Sequence, residues 1–131
     1  MVSLKIVMRA NAISCLVFGG IFALQPSVVA TFLSVTLPIP ATYMLVLGIL
    51  LIANGLHLIW ASRAPLPSKM LILYFSMGDY TWAIASVGLM VSGVWITTMA
   101  GVLAASAVAV MVMLFGALQM ASRKAMGNCE A

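Results

Sequence analysis

The sequence predicts an all-α integral membrane protein: one domain, residues 1–131, folded as a four-helix bundle. Both termini are expected in the cytoplasm, with a short interfacial helix between spans one and two. Three observations predict this. Hydrophobic residues make up 65% of the 131 and charged residues 6%, whereas a soluble domain is about half apolar and a quarter charged. Mean hydropathy is +1.24. Four apolar stretches each approach the roughly 20 residues that a hydrocarbon layer of about 30 Å demands. All six lysines and arginines fall at three places, the start of the first stretch, the junction of the second and third, and the end of the fourth, on what would be a single face.

The first span is expected at about 4–24, ending before Gln25 and Pro26. With Lys5, Arg9 and the small residues Val28, Val29 and Ala30, this segment also has the outline of a secretory signal. It is read here as a retained span. Residues 26–40, PSVVATFLSVTLPIP, are too short and too proline-bounded to cross, and are expected to lie along the outer interface. The second span is expected at about 41–61, between Pro40 and Arg63; the third at about 69–91; the fourth at about 95–122, after a turn at Ser92 and Gly93 and before Arg123 and Lys124. Proline suits such junctions because it lacks a backbone donor and biases its predecessor away from helix.

Lys5 and Arg9, Arg63 and Lys69, and Arg123 and Lys124 form three basic groups, and the two remaining connections carry none. The positive-inside tendency therefore puts both termini and the middle loop in the cytoplasm. An even number of spans requires the same result. A basic strip at one membrane face is an anchor to anionic lipid, so nucleic acid is not expected as a partner. The expected surroundings are the lipid bilayer of a cell inner membrane, with a membrane-protein partner or a second copy of the chain open to it.

Small residues mark where helices pack, since helices in lipid associate by close approach. Ala12, Cys15, Gly19 and Ala23 form one such stripe on span one; Thr97, Gly101, Ala105 and Ala109, continuing through Gly116 toward Gln119, form another on span four. Tyr43, Trp60 and Trp95 fall at span ends, where amphipathic rings favour the headgroup level. The eleven methionines are scattered, which suits flexible apolar filler better than copper ligation. A single histidine excludes a heme held by two histidines of one chain, and the two cysteines have no metal spacing. No cofactor is expected.

The candidate site centres on Asp79. Only two acidic residues occur, and this one is in the middle of the third span. Ten residues from Lys69, it is about 15 Å deep, near the midplane. An ionisable group there costs roughly 3 kcal/mol on insertion scales and needs a proton, a partner or a wet cavity. Asn54 and His57, three apart on span two, share one helical face. Asn11 on span one and Gln119 on span four add hydrogen-bonding groups in the same half. Ser76 and Trp82 flank the acid at minus three and plus three on its own helix. This layer either fixes helix register or serves a small proton-linked carrier or channel that uses Asp79 and His57 in a cytoplasm-facing pocket. Catalysis needs a fuller constellation than one acid and one imidazole, so the chain is not expected to be an enzyme. The favoured reading is an accessory or scaffold subunit packing against membrane partners or lipid.

GDYTWAIAS, residues 78–86, resembles a pattern in small four-span bacterial inner-membrane proteins of unknown function. FALQPSVVATFLSV followed by LVLGILLIANGLHLIWAS is similar in outline to the first half of those and of DoxX-like proteins. The resemblance implies a four-helix bundle in a bacterial inner membrane, with no activity attached. Some such relatives place an arginine in the second span before Trp60; this chain has none there.

Overall fold

A computed structural model describes residues 3–130, with side chains through 127; the second cysteine, Cys129, and the second acidic residue, Glu130, have side chains outside the described part. Every regular element in it is helical: α1 (Leu4–Leu24), α2 (Pro26–Leu33), α3 (Ala41–Ser62), α4 (Lys69–Ser92) and α5 (Met99–Glu130). Three of these, α1, α3 and the Met99–Gly127 stretch of α5, are long and apolar enough to cross a membrane. The 24 residues of α4 give it about 36 Å of length. Asp79 and the Ser, Thr, Gly and Tyr around it make it less apolar than the other three.

The long helices associate in two close pairs, α1 with α3 and α4 with α5, joined chiefly where α1 meets α5. Consecutive α3 and α4 are not one of the close pairs. In the α1/α3 pair the side chains shrink to allow backbone contact. A Cβ placed on Gly19 would come within 2.8 Å of the Gly48 carbonyl oxygen, and one on Gly55 within 3.0 Å of the Ala12 carbonyl oxygen. Below this seam Met8, Ala12, Cys15, Leu58, Ala61 and Phe75 form a buried cluster, where Phe75 brings α4 against α1 and α3.

The connections are tied by specific bonds. Pro26 opens α2 at its first turn, where its missing N–H is no loss. Gly93 ends α4 in the left-handed conformation at φ 69. Its N–H reaches the Met90 carbonyl and that of Val94 the Leu89 carbonyl, which together close the last turn. Helix α5 starts at Met99 rather than near residue 95, because the chain before it is bonded elsewhere. The N–H groups of Thr97 and Thr98 both reach the Leu33 carbonyl at the end of α2. The Thr98 hydroxyl donates to the Phe32 carbonyl at 2.6 Å and accepts from Gly101 N–H at 2.9 Å, capping α5. Trp95, placed at a span end by sequence, lies in this turn at φ 64. Its ring meets Tyr43 edge-on and packs on the Ala30, Ile39 and Met44 cluster, which fixes a backbone conformation that tryptophan disfavours.

Candidate functional site

Helix α4 presents Ile72, Phe75, Ser76, Asp79 and Ala83 inward, at spacings of three and four. Asp79 thus faces protein, and is 6% exposed. Gly116 makes room for it: a Cβ there would come within 2.9 Å of Tyr80 Cε1 and 3.3 Å of Asp79 Cβ. This close approach of α5 puts Gln119, three residues further on, beside the acid.

Two amides converge on a single carboxyl oxygen. Asn11 Nδ2 of α1 donates to Asp79 Oδ2 at 2.8 Å, and Gln119 Nε2 of α5 donates to the same oxygen at 2.9 Å. Gln119 Nε2 also donates to the Phe115 carbonyl at 3.1 Å, so its nitrogen rather than its oxygen must point this way. Asn11 Oδ1 accepts from the Cys15 thiol at 3.7 Å, which orients the second amide likewise. Asn11 is 1% exposed and Gln119 fully buried. Asp79 is therefore an acceptor joining three helices, and neither of its partners is a cation.

Asn54 of α3 enters indirectly, through a bond from Nδ2 to Cys15 Sγ at 3.5 Å. Cys15, which the sequence marks only as part of a packing stripe, follows Asn11 by four and therefore shares its face. His57 is not brought to Asp79. Its ring stands edge-on to Phe75 at 5.0 Å, with Trp60 at 5.7 Å and Tyr74 at 5.8 Å. Trp82 points the other way along α4 and stacks on Phe22 of α1 at 6.4 Å. Among the described residues no three His, Cys, Asp or Glu side chains gather as a metal site would require.

Ser76 stands apart from the other helical hydroxyls. Those of Ser14, Thr81, Ser86 and Ser122 all donate to the carbonyl four residues back. Ser76 Oγ is fully buried one turn before Asp79 and, among the described residues, has no hydrogen-bond partner. A buried hydroxyl without a partner costs about 1–3 kcal/mol. Ser76→Ala is accordingly expected to leave stability unchanged within about 0.5 kcal/mol or to raise it by up to about 1 kcal/mol. Unfolding in mixed micelles measures this, and a loss above about 1 kcal/mol would mean that the hydroxyl is bonded in the folded protein.

The site is a buried polar junction of α1, α4 and α5, edged by a thiol that links it to α3. Comparison with known proteins finds no matching family model, no similar curated protein and no similar solved structure.

Proposed function

We propose that the chain is a non-enzymatic integral membrane protein of four spans, with α2 along the outer interface and both termini cytoplasmic, acting as an accessory or scaffold subunit. In this reading α4 is the third span, carried across by its length despite Asp79. Arg123 Nε donates to the Lys69 carbonyl at 3.1 Å, which draws two of the basic groups to one end of the helices, as the positive-inside pattern requires.

The observation that carries the functional reading is the bonding of Asp79 into a junction of three helices. Asp79 Oδ2 accepts two amide bonds from neighbouring helices, the side chain is buried among them, and the histidine lies in an aromatic cluster of its own. Such a junction ties helices together rather than lining a path. What is then left for partners is the outer surface, including the face of α4 formed by Gly78, Thr81, Ala85, Gly88 and Ser92, all of it exposed. A Cβ at Gly78 or Gly88 would meet nothing within 4 Å.

Reconstitution into proteoliposomes under an imposed pH gradient separates the two classes. Wild type and Asp79→Asn are expected to show the same proton uptake as protein-free vesicles. Uptake in wild type that disappears in Asp79→Asn would overturn the scaffold reading in favour of the carrier.

A further inference from the structure

We infer that the end of the α3/α4 cleft is a binding site for a phospholipid with an anionic headgroup, its phosphate held by Arg63 and its glycerol and upper acyl carbons lying against Trp60 and Leu71. The inference rests on the membrane reading above and adds a ligand to it.

Three observations support it. First, α3 and α4 are not a close pair, unlike α1/α3 and α4/α5, and meet through Phe75 and the rings of His57 and Tyr74. The connection between them contains Pro65 and Pro67, which cannot continue a helix and hold the two ends apart. The resulting groove, about 430 Å³, is lined by Trp60, Ala61, Arg63, Ala64, Pro67, Ser68 and Leu71. That volume falls within the range of small-molecule sites, about 300–1,000 Å³.

Second, the lining has the two chemistries of a phospholipid in the right order. Arg63 follows the last residue of α3 and is exposed, and no described residue bonds its guanidinium, whereas Arg123 donates to the Lys69 carbonyl. A guanidinium fork suits a phosphodiester in two-point contact. Ser68 caps α4, so the positive end of that helix lies at the same rim. The remaining walls are apolar. Trp60, 63% exposed, stands at this rim, and an amphipathic indole suits the headgroup level.

Third, an aromatic run lies beside the groove on its membrane side. His57 contacts Trp60 at 5.7 Å and Tyr74 at 5.8 Å, and Tyr74 is 59% exposed. An acyl chain descending past Trp60 would lie along the exposed outer side of these rings. Charge complementarity selects the occupant. Arg63 is unpaired among the described residues and Arg123 lies close by at the start of α4, so an anionic headgroup is favoured over a zwitterionic one.

The test uses the full chain purified in mild detergent, with phosphatidylglycerol or phosphatidylcholine titrated in and bound lipid counted by native mass spectrometry. Phosphatidylglycerol is expected to bind at one site per chain, at least about tenfold tighter than phosphatidylcholine. Arg63→Gln should weaken it about tenfold and Arg63→Lys about threefold, since lysine keeps the charge and loses the fork. Lys124→Gln, an exposed cation outside the groove, should leave it unchanged. Equal weakening by Arg63→Gln and Lys124→Gln, or equal binding of the two lipids, overturns the site. Carbonate extraction keeps the two failures apart: a chain that stays with the membrane but shows no such preference loses only the site. A chain released into the aqueous fraction overturns the membrane reading and the site together.

Discussion

Gly48→Ala is expected to destabilise the protein by about 2 kcal/mol, and Gly48→Leu to prevent α1 and α3 from assembling. The reason is what the added carbon would meet. A Cβ on Gly48 would lie 2.6 Å from the Ala23 backbone nitrogen and 2.8 Å from the Gly19 carbonyl oxygen. Both are backbone atoms of α1 and cannot swing aside as a side chain would. The helices must separate, and separation loses dispersion contacts along the whole seam from Ala12–Gly55 to Gly19–Gly48. Gly20 is the internal control, because a Cβ there meets nothing within 4 Å. Gly20→Ala should be neutral or stabilise by up to about 1 kcal/mol through helix propensity. Unfolding of each variant by SDS in mixed micelles reads the difference. If Gly48→Ala and Gly20→Ala behave alike, backbone contact does not hold this pair together.

That seam shows what the sequence makes legible and what it does not. The stripe Ala12, Cys15, Gly19, Ala23 is visible at helical spacing, yet its partner is not, because a small-residue stripe names a face and not the helix that covers it. Proline and charge place the bounds of α1, α3 and α4 to within a residue or so. The start of α5 is misplaced by four residues because Thr97 and Thr98 bond to the Leu33 carbonyl, a contact across more than sixty positions that no local pattern encodes. The same limit separates the candidate site residues. Asn11 and Gln119 are conspicuous as amides in apolar helices, and the fold sets both on Asp79. His57 is equally conspicuous, but bringing it to the acid requires α3 and α4 to pack closely as sequence neighbours, and they do not. Cys15 is inconspicuous because a thiol in an apolar helix reads as a small hydrophobe; only its distance of four from Asn11 hints at a shared bond.

Asp79→Ala is expected to move two measurements in opposite directions. In the four-span reading, α4 enters the bilayer before its neighbours associate with it, and a lone aspartate at its centre opposes that entry by roughly 3 kcal/mol. Removing it should therefore improve insertion of α4 as an isolated segment in a glycosylation-reporter assay. The assembled protein should respond the other way. Among the described residues, Asn11 Nδ2 loses its one bond and Gln119 Nε2 one of two, and both side chains are buried. A stranded buried donor costs about 1–3 kcal/mol, so a net loss of about 2–3 kcal/mol in micelle unfolding is expected. Bonds between helices in lipid average nearer 0.6 kcal/mol in double-mutant cycles, which makes the stranding, rather than the bond itself, the larger effect. Asp79→Asn separates the two. Its carbonyl oxygen can still accept from both amides, so it should cost less than about 1 kcal/mol while also easing insertion. If Asp79→Asn proves as damaging as Asp79→Ala, the acid is held for its charge rather than as an acceptor, and the junction is more than a tie between helices. If Asp79→Ala instead stabilises the assembled protein, the two amides find other partners in its absence, and α1, α4 and α5 are held in register by packing alone.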